Sequence, residues 1–523
     1  AFEAGDDRAP GWAREVLASR RATPWARMVA HHVLGRSGMA LRARHLSRAV
    51  RLADRLQGRL CAASDRAAFL SLCSDVYLDR IEELLRRGTA RDRRRALNLV
   101  TRFQAAWLAD ELTRRADRGT DPVIRRWQAL RRRLALLLEE IEGDAEPRMR
   151  RAGLGLDARL RDIERGIQEV ELELSRRWPE LVPDASGDVV ERLADHLPPG
   201  HLFMEVLLAR DVLTVFLLSR ERLEVRRVLG VGDEVRQLQQ SVAFHVDAYS
   251  MLGGRNDRAT RGLSHRLARL GEMLLSDLPE RGWDLLWLAP HGTLHGLLWP
   301  AVPVRGRVLA DHGDVALVPG APSVLGLLAA DPPRPRTVAI HGAPHDSLPG
   351  VAREVEELAR LMPGSKVVHR SSREEFLRDL AERDLVHLAG HAVFLDDLPG
   401  ASGLKLSDGY VTVHDLAATR AAARMVTFGV CSGVRLGQAG HRVDGFLRAL
   451  VGGGVRTVVG PFAPVRDEVA HRFDSVLYRA LMSGEGPGGA YRRAVRAVRE
   501  LDDHPAGWGS FHLYGDPRPW RSR

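Results

Sequence analysis

Apolar residues in the first third of the chain recur every three to four positions, the spacing that places them on one face of a helix. This spacing predicts helices over residues 67–85, 92–112, 122–141 and 153–178, and Gly88 is expected to stop the first of them. Helices joined by short turns are typical of stacked repeats. Degenerate tetratricopeptide-like repeats are therefore predicted here, with an ordinary helical bundle as the alternative.

The pattern changes near residue 200, where short apolar runs replace the helical spacing. Three successive strands are predicted at 201–208, 212–218 and 223–229. The connection from Ala209 to Asp211 is short enough for a hairpin, so this part of the sheet should be antiparallel. Helices at 233–248 and 263–278 and a strand at 283–288 are predicted to follow.

From residue 337 onward, strand-like and helix-like segments alternate. Strands are predicted at 337–340, 366–369, 384–388, 425–430 and 455–459, and helices at 350–361, 374–381, 445–450, 467–481 and 488–500. Such alternation is typical of a mainly parallel sheet that is flanked by helices. The predicted fold class is an α/β sandwich that follows an all-α region.

Composition and charge restrict the classes of function that the chain could have. The 523 residues are 45% hydrophobic and 28% charged, which is ordinary for a globular protein, and they contain no apolar run long enough to span a membrane. The net charge of +10 lies in residues 1–180, which hold 37 basic and 27 acidic residues, whereas the remainder holds 41 of each. Arginine groups such as Arg131–Arg133 alternate with apolar helix positions and lack interleaved aromatic residues. We interpret them as solvated helix faces, so a nucleic-acid ligand is not expected, and an acidic partner is the alternative.

The cellular location is expected to be the cytoplasm. Three cysteines do not make a disulfide framework, which favours a reducing compartment. The first seven residues lack the pattern of a secretory leader, although the chain also lacks an initiator methionine, so residues that precede Ala1 could be missing.

Two of the predicted strands end in a reactive side chain. The segment Asp384-Leu-Val-His-Leu-Ala-Gly-His391 ends in a histidine, and Arg424-Met-Val-Thr-Phe-Gly-Val-Cys431 ends in a cysteine. Chemistry in open parallel sheets gathers beyond the carboxyl ends of the strands, and adjacent strands would bring these two residues together. Because a thiolate next to a histidine base is a nucleophile, the pair predicts a cysteine protease.

Other candidates for chemistry are weaker. His387 and His391 could bind zinc on a helix, but the surrounding residues favour a strand that Gly390 turns, which leaves His391 exposed and His387 packed in the sheet. His291 and His295 follow another strand and are expected to brace a neighbouring segment. Cys61 and Cys73 lie on apolar helix faces and are expected to be inert packing groups. No phosphate-binding loop occurs, so nucleotide-dependent chemistry is not expected, and the Gly-x-Ser-x-Gly turn of serine hydrolases is absent. Neither a metal nor another cofactor is predicted.

Six motifs, in order along residues 180–523, resemble those of the CHAT domain, a caspase-like peptidase module that is often fused to tetratricopeptide repeats in bacteria. The motifs are Ala289-Pro-His-Gly-Thr-Leu-His-Gly-Leu-Leu-Trp299, Leu348-Pro-Gly-Val-Ala-Arg-Glu-Val-Glu-Glu-Leu358, Asp384 to Ala392, Ser402-Gly-Leu-Lys-Leu406, Val430-Cys-Ser-Gly433 and Gly507-Trp-Gly-Ser-Phe-His-Leu-Tyr-Gly-Asp516. The resemblance implies a caspase-like α/β sandwich. It divides the chain into a helical region (1–150), a linker helix with a pseudo-caspase half (151–330) and a catalytic half (331–523).

The resemblance also assigns roles to residues. It implies that His391 is the base, that Cys431 is the nucleophile, and that the backbone amides of Ala392 and Cys431 form the oxyanion hole. Two features depart from the family pattern: Ala392 replaces a glycine, and the turn Val430-Cys-Ser-Gly433 is one residue shorter than usual. A protein substrate is implied, such as a gasdermin-like pore former in antiphage defence, together with a regulatory protein that binds the helical region. The alternative is a silent or gated scaffold that binds protein partners.

Overall fold

The computed structural model divides the chain into two compact units, Ala1–Glu191 and Arg192–Arg523. The structure describes residues 8–38, 41–58, 63–101, 126, 189–252, 257–344, 350–393, 403–412, 415–416, 419–430, 450–451, 453–463 and 465–521. None of the described helices is long and apolar enough to cross a membrane.

The regular secondary structure of the first unit is helical in all of its described segments. Its helices are α1 (Ala9–Ala18), α2 (Pro24–Arg36), α3 (Arg42–Gly58) and α4 (Ala63–Arg87), and residues 90–101 are also helical. The helix predicted over 67–85 is thereby confirmed, and the one predicted from residue 92 is confirmed as far as residue 101. The helices predicted over 122–141 and 153–178 lie outside the described residues, apart from Arg126, which is helical.

The second unit is built around one sheet, which has thirteen strands within the described residues. Its strands are β1 (His201–Ala209), β2 (Val212–Leu218), β3 (Leu223–Leu229), β4 (Leu285–Pro290), β7 (Asp314–Leu317), β8 (Val338–Gly342), β9 (Lys366–Val368), β10 (Leu385–Val393), β11 (Gly403–Leu406), β12 (Gly409–Thr412), β13 (Met425–Val430), β14 (Thr457–Pro461) and β15 (Phe511–Gly515). The short strands β5 (Pro303–Val304) and β6 (Arg307–Val308) pair separately.

The strand order is β12-β11-β10-β13-β14-β15-β7-β4-β1-β2-β3, and β8 pairs with β10 and β9. Strands β8, β9, β10, β13 and β14 run parallel to their neighbours in this group. The predicted hairpin is confirmed, because β1 pairs antiparallel with β2 and β2 with β3. The predicted α/β class, a mainly parallel central sheet flanked by helices and preceded by a helical region, is also confirmed.

Most of the helices that accompany the sheet strands in sequence lie where the periodicity predicts them. They are α5 (Val189–His196), α6 (Gly232–Leu252), α7 (Asp257–Leu274), α8 (Ala321–Leu328), α9 (Gly350–Leu361), α10 (Arg373–Glu382), α11 (Asp467–Met482), α12 (Pro487–Leu501) and α13 (Pro505–Trp508). The side chain of Ser372 caps α10 by accepting a hydrogen bond from the amide of Glu375 at 3.3 Å. The helix predicted at 445–450 lies almost wholly outside the described residues.

The end of β10 differs from the prediction. The strand does not turn at Gly390 but continues to Val393, so the expectation that His391 follows the strand in a loop is wrong. The extension is possible because β10 gains an antiparallel partner there, with His391 opposite Lys405 of β11. Glycine is required at position 390 for space, since a Cβ atom would lie 2.9 Å from the Cβ of Ala343.

Candidate active site

The carboxyl ends of β10 and β13 lie side by side. These strands pair in parallel, with His387 opposite Thr427 and Gly390 opposite Val430. His391 follows Gly390, and Cys431 follows Val430 in the sequence. The parallel pairing of the two strands therefore ends at Gly390 and Val430, the residues that directly precede the predicted dyad in sequence.

The backbone of His391 and Ala392 belongs to β10, where these residues pair with Lys405 and Leu404 of β11. The motif Ser402-Gly-Leu-Lys-Leu406 thus supplies the strand that holds the histidine segment. Among the described non-glycine residues, positive φ occurs only at Arg210 and Arg305, so alanine in place of glycine at position 392 requires no backbone strain. The side chains of His391 and Ala392 and the whole of Cys431 lie outside the described residues.

A chain of buried polar side chains lies behind these strand ends. Nδ1 of His387 is 2.9 Å from Oγ1 of Thr427, and its Nε2 is 2.8 Å from Oε1 of Glu354. The Thr427 hydroxyl in turn contacts the Tyr478 hydroxyl, and the Glu354 carboxyl hydrogen-bonds that of Asp474. His387, Thr427 and Tyr478 are wholly buried, and Glu354 and Asp474 are 5% and 2% exposed. The chain ties α9, β10, β13 and α11 together.

Gly429 of β13 makes room for this cluster. A Cβ atom at position 429 would overlap Oε1 of Glu354 and would lie 2.8 Å from its Cδ and 2.9 Å from Oδ2 of Asp474. The two carboxyl groups therefore rest directly against the backbone of β13. Position 429 is two residues before Cys431, so the cluster is adjacent to the predicted nucleophile in sequence.

Burial sets the protonation of the cluster. Desolvation raises the pKa of Glu354 to about 8, with further repulsion from Asp467, and lowers the pKa of His387 to about 4. Desolvation, followed by the charge of Glu354, raises the pKa of Asp474 well above its usual range. Two ionised carboxylates cannot hydrogen-bond to each other, and Oδ2 of an ionised Asp474 would have no donor. Near neutral pH the cluster is therefore a set of uncharged groups that share protons.

Glu354, His387 and Asp474 also form the one group of three metal-type ligands among the residues that the structure describes, with donor atoms within 4.8 Å of one another. One imidazole and two carboxylates could hold a divalent ion. However, the direct contact between His387 and Glu354 satisfies both groups without an ion. The zinc alternative, His387 with His391, stays untested, because the side chain of His391 lies outside the described residues.

Glu354 and Asp474 are not among the residues predicted from the sequence, although both leave a signal in it. Glu354 occupies an apolar helix position, in line with Val351, Val355 and Leu358, and all four are buried. Asp474 similarly belongs to the buried face of α11, next to Phe473, Leu477 and Tyr478. A carboxylate within an apolar stripe indicates a buried polar partner, because burying an unpaired charge is costly.

The remaining candidates lie elsewhere. His291 and His295 follow β4, which is four strands from β13 in the sheet. Burial, and to a lesser extent the nearby His295, lowers the pKa of the His512 imidazole in β15. Cys73 is buried 3.9 Å from the sulfur of Met28, and burial raises the pKa of its thiol to about 11, which confirms an inert packing role. Cys61 lies outside the described residues.

One further arrangement imitates a hydrolase triad. Nδ1 of His341 is 2.8 Å from Oγ of Ser371, and its Nε2 is 3.1 Å from Oδ2 of Asp379. All three side chains are at most 1% exposed, so no substrate can reach the serine. Lys366, 2.6 Å from the same Asp379 oxygen, completes a structural ion pair. The set holds β8, β9 and α10 together.

The fold and the strand ends define an α/β protein with a mainly parallel central sheet. Residues 264–516, just under half of the chain, match the family model of the CHAT domain. A search of curated proteins found no match.

Among solved structures, the chain is similar to two crystal structures of the Saccharomyces cerevisiae separase–securin complex, at 2.6 and 3.0 Å resolution. Both are 11% identical to this chain, with TM-scores of 0.44 and 0.46, and each match covers 98% of this chain and 48% of the other. The chain spans about half the length of those proteins.

Proposed function

We propose that the CHAT domain is a cysteine endopeptidase in which His391 and Cys431 form the catalytic dyad. The observation that carries this proposal is the parallel register of β10 and β13, which ends with Gly390 opposite Val430. Consecutive Cα atoms are about 3.8 Å apart and paired strands about 4.8 Å apart, so connectivity keeps the Cα atoms of His391 and Cys431 within about 12 Å. Within this limit the side chains of a histidine and a cysteine can come into contact.

The reaction would follow from the chemistry of these groups. His391 takes the thiol proton of Cys431, and the thiolate attacks the carbonyl carbon of the scissile peptide bond. The amides of Ala392 and Cys431 donate hydrogen bonds to the oxyanion. His391 then protonates the leaving amine as the C–N bond breaks. Water, deprotonated by His391, finally hydrolyses the thioester and regenerates the thiol.

A peptide-library or casein assay tests the proposal, with Cys431→Ala and Cys73→Ala as a matched pair of cysteine substitutions. We expect cleavage to fall at least a thousandfold in Cys431→Ala and in His391→Ala, and to persist in Cys73→Ala. If cleavage persists in folded Cys431→Ala, the dyad is wrong. If no variant cleaves any library member, with or without cell extract, the result favours a silent or gated scaffold.

The resemblance to repeat–CHAT proteins extends the proposal to a biological setting. We infer a bacterial, cytoplasmic enzyme that cleaves a protein substrate, such as a gasdermin-like pore former, in antiviral defence. A regulatory protein would bind the helical region. This is supported by Arg44, Arg48, Arg51 and Arg55, whose spacing in α3 places them along one helix face suited to an acidic partner. Nucleic acid is not proposed as the ligand.

A further inference from the structure

The buried cluster packs against one face of the strands that precede the proposed dyad. Alternate residues of a strand share a face, so His387 and Ala389 lie on one face of β10, and Thr427 and Gly429 lie on one face of β13. The cluster side chains approach this face from α9 and α11. Cys431 is two residues beyond Gly429, so its Cα lies at most about 7 Å from that of Gly429.

The groups around Glu354 explain why the cluster can be neutral. From α11 it faces Asp467 and Asp474, and from β10 it faces His387. Asp474 is influenced by Glu354 and His387, and Tyr478 by Thr427, Asp474 and Glu354. Among the described residues, none of the groups that shift these pKa values is an arginine or a lysine.

We propose that Glu354, Asp474 and His387 form a positioning unit for the dyad, an uncharged set of shared hydrogen bonds that fixes the ends of β10 and β13 against α9 and α11. This inference rests on the proposed function. The unit touches neither substrate nor reacting atoms. It acts by holding the strand segments that carry His391 and Cys431 at one separation, which decides whether the imidazole reaches the thiol.

The assignment of hydrogen-bond donors and acceptors also supports an uncharged positioning unit. Glu354 can donate its carboxyl proton to Nε2 of His387, while Nδ1–H of His387 donates to Oγ1 of Thr427. Asp474 can donate its own proton to the Glu354 carboxyl. In this arrangement every buried polar contact holds one hydrogen and no charge is unpaired, which is the condition under which a buried network is rigid.

The test compares isosteric and truncating substitutions in the full chain. Glu354→Gln and Asp474→Asn preserve shape and neutrality, whereas Glu354→Ala and His387→Ala break the chain of contacts. Glu356→Ala, an exposed carboxylate on the same helix, is the matched control. The probe is the rate at which iodoacetamide alkylates Cys431 at pH 7, followed by mass spectrometry of its peptide, because this rate reports thiolate formation without a substrate.

We expect alkylation to slow at least tenfold in Glu354→Ala and His387→Ala and to stay within about threefold of the unmodified chain in Glu354→Gln, Asp474→Asn and Glu356→Ala. Where cleavage can be measured, kcat should follow the same order while KM stays constant. Rescue by glutamine, which a general loss of packing would not produce, is the decisive result. If a Glu354 variant fails to fold, the alkylation rate of Cys431 in Asp474→Asn still tests whether a neutral side chain suffices.

Three outcomes would overturn the inference. Equal alkylation in folded Glu354→Ala and the unmodified chain would show that the cluster does not position the dyad. Equal damage in Glu354→Gln and Glu354→Ala would show that a negative charge is needed. One equivalent of a divalent metal, lost in Glu354→Gln, would make the cluster a metal site. If alkylation follows the expected order but no cleavage is found, the proposed protease activity fails and the positioning unit stands.

Discussion

Gly429 is the residue at which the buried cluster and β13 touch. We expect Gly429→Ala to destabilise the protein by about 1–3 kcal/mol, because the new methyl group would overlap the Glu354 carboxyl and force it or the strand to move. Gly326→Ala is the matched control. Its Cβ would meet no atom within 4 Å, and as a position in helix α8 it should be neutral or gain about 0.5–1 kcal/mol. Denaturant unfolding of both variants measures the difference, and equal stabilities would contradict the packing described at Gly429.

The same cluster makes stability depend on pH in a direction that can be worked out. The folded-state pKa of Glu354 is raised from 4.5 to about 8, so its protonated form stabilises the fold fully below pH 4.5, and this contribution is lost as the pH rises to about 8. The pKa of His387 is lowered from 6.5 to about 4, so its contribution is present above pH 6.5 and lost as the pH falls to about 4.

The substitution Glu354→Gln removes the pH dependence of stability that Glu354 causes and keeps the one that His387 causes. We therefore expect the variant to gain stability relative to the unmodified chain as the pH rises from 5 to 8, by up to about 1.4 kcal/mol per pH unit. Thermal unfolding at several pH values measures this difference, and Glu356→Gln serves as the control. A difference that stays constant over this range would mean that Glu354 is ionised in the folded protein.

At the scale of elements, strands β2, β3 and β13 begin and end where the apolar runs predict them, as does helix α9. These segments are bounded by turn residues, and their extents match the apolar runs, so local signals suffice. The extension of β10 past Gly390 could not be predicted in this way. A glycine indicates either a turn or a close contact, and only the position of Ala343 decides between them.

Strands β11 and β15 were also missed, although both lie within motifs that the sequence analysis had noted. Each is four or five residues long, too short to show a period, and β15 also depends on partners distant in sequence. The candidate site shows the same limit. The order of the motifs and the strand ends predict His391 and Cys431, whereas the contact of Glu354 with His387 joins residues of a helix and a strand that are 33 positions apart.

At the scale of the second unit, the sheet is continuous because of β15. It pairs antiparallel with β14 and parallel with β7, so the closing motif Gly507 to Asp516 links the strands that precede residue 331 to those that follow it. The division predicted at residue 330 remains a prediction about function, since the described strands on both sides of it share one sheet. Phe511, at the start of β15, stacks on Phe473 of α11 with ring centroids 3.8 Å apart, and its carbonyl accepts a hydrogen bond from Tyr491 at 2.7 Å.

A phenylalanine pair tests whether this sheet unfolds as one body. Phe511 is fully buried, so Phe511→Ala should cost about 3–5 kcal/mol, whereas Phe244→Ala, at a side chain 69% exposed, should cost little. Because β15 joins both groups of strands, we expect Phe511→Ala to lower hydrogen-exchange protection in β1 and β4 as well as in β10 and β13. Loss of protection confined to β14 and its neighbours would instead mean that the two groups open independently. In that case the strands that bear the dyad could be regulated without disturbing the rest of the domain.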